Sequence, residues 1–439
     1  MKKKQCFLCI WATILALAVA FVANVVIKLT ITPSETENQL AVLTINLKDV
    51  TLEEINAGEK QMKYPGNSIT LTVQDEEMEY DNVEVKGRGN STWGADKKPY
   101  QIKFADKVDL FGMGESKKWV LLANYFDASY LRNDTAFYLE RMLDERYALN
   151  GEFVWLVVDG EEIGLYYLTP KVEIGKNRVN LRDEFGVLVE LENLHKEGEN
   201  CYVTVEGNCL TVKELVDDDQ EAVAMQDFVE NFNQLELAAR IGDYAMVQSV
   251  ADTSDLARYY LLSEFTVNPD AYASSCYFYK DGVDDVIHTG PGWDFDYALG
   301  NRAWEWAYNK DFYSPSITRV QEAYAWGGEF YDEESGEMVK KEPNMTIMRL
   351  FYLLMQIPEF EEEVSAMYRE KMSGKKEEMI SHILEKADLI RDKAFEDSLK
   401  WKNADFNKEV ADFVDWVAAR FEHFEKTYGE SFYAIMGES

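Results

Sequence analysis

Positive charge is scarce in this sequence. Its 45 basic side chains are set against 80 acidic ones, a formal net charge of −35, which argues against a nucleic-acid backbone as partner because both surfaces would be anionic. Basic peptides and metal-bridged phosphates suit such a surface better, although acidity also serves solubility alone. Histidine is scarcer still, with four residues and no His-Glu-x-x-His pair, so zinc hydrolases drop out. Serine hydrolases drop out too, since there is no Gly-x-Ser-x-Gly elbow, and the Gly-x-x-x-x-Gly-Lys-Ser/Thr phosphate loop is also missing. Of the five cysteines, Cys6 and Cys9 lie in an apolar start, leaving Cys201, Cys209 and Cys276, too few for a disulfide scaffold. Cys201 and Cys209 flank an alternating stretch that turns like a β-hairpin, so they either pair across it or stay as half-buried thiols. No internal repeat and no low-complexity linker interrupts the chain.

Charge is also missing from the apolar run Cys6 to Ile27, which follows Lys2, Lys3 and Lys4. That run is about long enough to cross a ~30 Å hydrocarbon core as one helix, with the basic end in the cytoplasm. The expectation is a basic start and membrane anchor over residues 1–30 and an extracytoplasmic domain over 31–439. Small residues such as Ala18 and Ala20 leave room for signal cleavage and secretion instead.

What is abundant is core-forming material: 46% of residues are hydrophobic and 13% aromatic, ample for one large or two ordinary cores. The patterning predicts an α+β fold. Residues from about 40 to 210 are strand-rich, with strands at Ser68–Val73, Val83–Lys86, Tyr100–Phe104, Trp119–Leu122 and Val187–Leu191. Val154 to Tyr167 reads as a hairpin about Asp159-Gly160, and one helix is expected from about Ser129 to Leu143. From about 211 to 439 the periodicity is mainly helical, over Asp219–Ala239, Thr253–Phe265, Thr346–Met355 and Pro358–Thr427, the last broken at Gly374 and near Asn403–Asn407.

Three stretches carry candidate chemistry. Gly290-Pro-Gly-Trp-Asp-Phe-Asp-Tyr-Ala-Leu-Gly-Asn301 sets Asp294 and Asp296 two residues apart among aromatic residues and turn formers. Such a pair can ligate a hard cation whose shell phosphate oxygens complete, or be no more than solvated turn residues. Gly87-Arg-Gly-Asn-Ser-Thr-Trp93 follows a predicted strand, and its Arg88 and Asn90 offer donors to a phosphate approaching the glycines; ordinary hairpin turns look similar. Lys103 lies in the next strand, close to the arrangement in which a strand lysine reaches nucleotide phosphates beneath a glycine loop, the competing reading being a solvated lysine. Asp270, in Asn268-Pro-Asp270 after a helix, is placed to take a proton from an attacking hydroxyl, or is a plain turn residue.

Together these stretches resemble the spore coat protein H (CotH) kinase family of atypical secreted kinases. The resemblance runs through Val85–Trp93, Lys97–Phe104, Lys118–Tyr125, Leu131-Arg-Asn133, Gly186–Glu192 and Gly290–Asn301, in the family's order. It implies a divergent protein-kinase-like fold that binds ATP with Mg²⁺ or Mn²⁺ and phosphorylates serine on secreted or surface proteins, often basic ones. Carried over by position, Asp270 is the catalytic base and Lys103 the strand lysine at the phosphates. Asp294 is the metal-binding acid, with Asp296 matching a further family position. Arg88 and Asn90 belong to the glycine-loop signature. Glu190 lies on the strand that lines the nucleotide, and Trp293 is a candidate for stacking on adenine.

One position departs from the family's pattern: Pro170 stands where a Glu is usual. If that Glu pairs with the phosphate-binding lysine, its loss leaves a pseudokinase open, with Glu173 or Glu140 as substitutes. The alternative class is a non-catalytic surface adhesin, scaffold or wall-binding protein that retains the fold. The aromatic stretch Trp304–Val339 would then be its recognition surface rather than a packed subdomain.

Overall fold

A computed structural model describes residues 40–193, 201–268, 270–271, 274–301, 329–332, 337–340, 347–401 and 405–429. The first layer is a closed barrel of seven strands: β1 (Ala41–Asn46), β2 (Tyr64–Val73), β3 (Glu76–Gly87), β4 (Tyr100–Val108), β5 (Ser116–Leu122), β6 (Glu152–Val158) and β7 (Glu161–Pro170), in the order β1-β2-β3-β4-β5-β7-β6. Neighbours are antiparallel except β6 and β1, which run parallel and close the barrel. Alternation decides what fills it. In β4, Tyr100, Ile102 and Phe104 point inward to join Leu43, Ile69, Val85, Trp119 and Leu156, while Gln101 and Lys103 face out. A short helix, α1 (Leu52–Ala57), connects β1 to β2, started by a capping box between Thr51 and Glu54.

The β6–β7 hairpin turns at Asp159-Gly160, both with positive φ, as a two-residue hairpin of this twist requires. Asp159 also accepts a hydrogen bond from the Leu47 amide at 2.8 Å, fixing the turn to the end of β1.

The second layer is an antiparallel sheet of β8 (Gly186–Leu191), β9 (Cys201–Val203), β10 (Cys209–Leu215), β11 (Cys276–Asp281) and β12 (His288–Thr289), ordered β12-β11-β8-β10-β9. Cys201 and Cys209 form a disulfide across the β9–β10 hairpin, 2.06 Å between sulfurs. Helices α2 (Arg132–Met142), α3 (Glu221–Ile241), α4 (Tyr244–Val250), α5 (Thr253–Thr266), α6 (Ile347–Leu354), α7 (Pro358–Lys371), α8 (Lys376–Trp401) and α9 (Phe406–Tyr428) share the larger hydrophobic core with this sheet. A two-stranded ribbon pairs Glu329–Asp332 with Glu337–Lys340.

The architecture is thus a mixed arrangement of sheets and helices, strand-rich first and helix-rich later. Strand β10 runs on to Leu215, and β11 and β12 return to the same sheet after three helices. Helix α8 ties back to the barrel through Asp397, which accepts from Lys97 Nζ at 2.7 Å, the Leu165 amide at 2.8 Å and Tyr130 hydroxyl at 2.9 Å. Burial lowers the Lys97 pKa to about 8 despite this partner, so Lys97 is a structural tie within its Lys97-Lys-Pro-Tyr motif. The apolar run Cys6–Ile27 and most of Trp304–Val339 lie outside the described residues. Among the described residues no helix is long and apolar enough to cross a membrane.

Candidate active site

Four acids converge at one end of the second sheet. Glu192 follows the last residue of β8, Asp270 follows α5, and Asp294 and Asp296 follow β12. Asp294 and Asp296 share a hydrogen bond between their carboxyl groups. Asp296 is buried, and burial together with the Asp294, Asp270 and Asp127 charges raises its pKa well above the carboxylate range. Asp270 is pushed up to about 7 by burial and by the charges of Asp294 and Glu192. Like charges crowded in this way hold protons unless a cation joins them.

The backbone is shaped to hold the acids there. Asp294 takes a left-handed conformation, φ +69°, uncommon for any residue but Gly, Asn or Asp. Asn268 accepts from the Asp270 amide at 3.1 Å and donates to the Asp294 carbonyl at 3.4 Å, bridging the two acid loops. Ser274 donates to Glu192 at 2.8 Å and Ser275 to the Asp294 carboxylate at 3.4 Å.

Helix α2 clamps the acid segment from behind. Asn133 accepts from the Phe295 amide at 3.0 Å, Arg132 Nε donates to the Ala298 carbonyl at 3.1 Å, and Glu140 accepts from the Gly292 amide. A Cβ on Gly292 would lie 2.7 Å from Glu140 Oε1, so only glycine lets the loop come this close. Arg132 is itself held by buried Asp127. These polar side chains are buried on a helix of weak amphipathicity because their partners are loop amides rather than water.

Glu140 makes a testable contribution of its own. Its Oε2 is buried without a hydrogen-bond partner, and burial with the nearby Glu145 pushes its pKa up to about 8, from 4.5. The folded state therefore binds a proton that the unfolded state releases between pH 4.5 and about 8, and stability falls as pH rises through that window. Glu140→Gln keeps the acceptor for Gly292 and removes the titration. Its melting temperature, relative to wild type, is expected to improve steadily from pH 5 to pH 8; parallel curves would show that Glu140 is ionised throughout.

The cation facing the acids is Arg88. Its guanidinium lies over the Trp293 ring, 5.0 Å from the centroid, within the fields of Asp294, Tyr277, Glu190 and Asp296. Glu190 accepts from Tyr277 and pairs with Lys213. Lys86, on the same outward face of β3, has its pKa lowered by burial and by neighbouring Lys171, Lys63 and Arg88, so basic residues line that face up to Arg88.

Of the residues expected from sequence, the fold therefore gathers Arg88, Glu190, Asp270, Trp293, Asp294 and Asp296. Lys103 shares the outward face with Arg88 but pairs in register with Glu84, four residues or about 13 Å down β3. Among the described residues no hydrogen bond or ion pair joins Lys103 to the acids. Glu173 is taken by Lys118 and Ser116 at 2.9 and 2.6 Å, and Pro170 sits opposite Trp119. Asn90 is exposed and accepts from Lys60 Nζ at 2.6 Å. Trp293 is 8% exposed and stacked on Phe137, so adenine could stack there only by displacing its present neighbours. The two glycines beside Arg88 serve local packing: a Cβ on Gly87 would lie 2.4 Å from the Trp93 ring.

This order of motifs is also recognised as a whole. The sequence profile of the CotH kinase protein family matches residues 85–424, more than three quarters of the chain. The chain belongs to the CotH kinase protein family. No curated protein matches it. Membership brings the coarse expectation of kinase-type chemistry with ATP and a divalent metal, and the CotH acids fit a metal on the structure's own terms. They are hard oxygen donors whose mutual repulsion a cation would relieve.

Residues not assigned from sequence also meet the cluster or its neighbours: Glu192, Asn133, Asp127 and Lys213. Glu192 carried a signal, since it lies two residues after Glu190 within the resemblance and so on the same strand face. Asn133 sat in Leu131-Arg-Asn133, where its role as a clamp on a loop some 160 residues away left no local trace.

Proposed function

We propose that this protein is an ATP- and metal-dependent protein serine kinase with a divergent kinase-like fold. It would act outside the cytoplasm, held by its N-terminal apolar segment or released from it, on secreted or surface proteins. The observation that carries the reading is the convergence of Asp270, Asp294, Asp296 and Glu192 opposite Arg88. A divalent cation held by Asp294 and Asp296 would neutralise charge on the transferring phosphates. Asp270 comes from a different loop than Asp294 and Asp296, and is the group positioned to accept the proton of an incoming serine hydroxyl. Arg88 supplies fixed positive charge beside the acids, where phosphate oxygens gain charge in the transition state. Asn268 keeps the two acid loops in register, so positioning is built into the ground state. The strongly acidic surface favours basic substrates.

The test is incubation of purified protein with labelled ATP, Mg²⁺ or Mn²⁺ and a peptide rich in Ser and Lys. Phosphoserine on the peptide is expected. Metal-dependent nucleotide binding with no transfer to any serine substrate would identify a pseudokinase, and absence of nucleotide binding would favour the adhesin or wall-binding reading.

A further inference from the structure

A second group of ligating side chains lies outside the acid cluster and is not used by the proposed reaction. It is made where α5 begins and where β12 runs beside it. Asp252, the N-cap of α5, accepts from the Ser254 and Asp255 amides at 3.0 and 3.1 Å through Oδ1, leaving Oδ2 3.7 Å from His288 Nδ1. Asp255 is buried; its Oδ1 is taken by Arg258, and its Oδ2 lies 2.7 Å from the same His288 nitrogen. Ligand atoms, one each from Asp252, Asp255 and His288, lie within 4.8 Å of one another. Ligand bonds of about 2.0–2.1 Å in a tetrahedral site place donors roughly 3.3 Å apart, and the separations of 2.7 and 3.7 Å bracket that spacing.

The supporting contacts fit a ligand set. Nε2, the other ring nitrogen of His288, faces Asp285 at 3.4 Å, the carboxylate–histidine arrangement that orients a metal-bound imidazole, while Nδ1 is turned to the aspartates and hydrogen-bonds Asp255 where an ion would replace the shared proton. Each aspartate likewise has one oxygen held by the protein and one turned to the shared point. An independent observation comes from Tyr279. Its ring lies face to face on His288, 5.0 Å between centroids at 11°, and it is 2% exposed. Its hydroxyl is buried with no hydrogen-bond partner, within the charge field of Asp255 and Glu145. A buried phenol left unpaired beside the cluster is unusual and marks a polar group there that the protein alone does not satisfy.

We propose that Asp252, Asp255 and His288 form a structural binding site for a first-row divalent cation, Zn²⁺ or Mn²⁺, that pins the root of α5 to β12. One imidazole and two carboxylates suit these ions better than Mg²⁺ or Ca²⁺. The place has a consequence. Strand β12 leads to Asp294, so the ion fixes the base of that acid loop to the start of α5. It reinforces the Asp252 amide's bond to the Ile287 carbonyl at 2.9 Å and the Thr289 hydroxyl's bond to the Asp255 carbonyl at 2.8 Å. The site stands whether or not phosphoryl transfer is the reaction.

The test is metal binding without nucleotide. Full-length protein carrying Asp294→Asn, which weakens the acid cluster as a competing site, is stripped with chelator. It is then titrated with Zn²⁺ or Mn²⁺, read by elemental mass spectrometry and thermal unfolding. About one ion per chain and a raised melting temperature are expected. Adding Asp252→Asn, which keeps the helix cap but removes a charged ligand, should abolish both. Asp285→Asn, on a partly exposed side chain, should weaken affinity about 10- to 100-fold with the fold intact. Equal occupancy in all three proteins, or no retained ion in the first, would overturn the site and leave His288 as a hydrogen-bonded strut.

Discussion

Replacing Asp294 by Asn is expected to lower phosphoryl transfer by about 10²–10³-fold or more, the scale on which removing one stabiliser of transition-state charge acts. The substitution keeps size and a hydrogen bond to Asp296 but removes half of the acid pair that would hold the cation. The loss should therefore show as a raised metal requirement, with partial recovery at high Mn²⁺. Asp270→Asn should cost about 10²–10⁴-fold through loss of a proton acceptor, yet leave metal-dependent nucleotide binding near wild type. The contrast between the two variants separates the roles. Should both retain wild-type transfer to a serine peptide, the acid cluster would not be the catalytic centre.

How much of this was readable in advance follows from the range of each signal. The barrel strands were legible because inward Tyr100, Ile102 and Phe104 alternate with outward Gln101 and Lys103, a pattern carried by adjacent residues. The β6–β7 hairpin was legible because Asp159-Gly160 can take two positive φ values in succession. Strand β12 was not, since two residues carry no periodicity, and its pairing depends on β11 already being in place. Aspartates among turn formers are conspicuous in the sequence, but their mutual approach is not. It depends on Asn268 bridging two loops and on α2 reaching the motif from more than 150 positions earlier. The distance of Lys103 from the acids has no local signal for a related reason. Strand membership and a glycine loop nearby say nothing about register, and register sets it beside Glu84 and Lys118 rather than beside the acids.

That register leads to the second large effect: Arg88→Ala is expected to lower kcat/KM for ATP by about 10²–10³-fold, and Lys103→Ala by less than about tenfold. Arg88 is the cation within the fields of Asp294 and Asp296, held over Trp293 so that its planar group is oriented before any ligand arrives. Lysine cannot reproduce a forked, stacked donor, so Arg88→Lys should recover little activity although it restores the charge. A structural explanation makes a different forecast. If Arg88 only balances the buried acids, its loss lowers the melting temperature and added Mn²⁺, by taking over that balance, restores both fold and turnover. Activity that stays low after the melting temperature has recovered would place Arg88 on the phosphates. The opposite ranking, with Lys103→Ala the more damaging, would mean that the triphosphate extends along the outward face of β3 and β4, past Lys86 toward Lys103 and Lys118. The ridge of basic residues would then be the phosphate track, with Arg88 at its end.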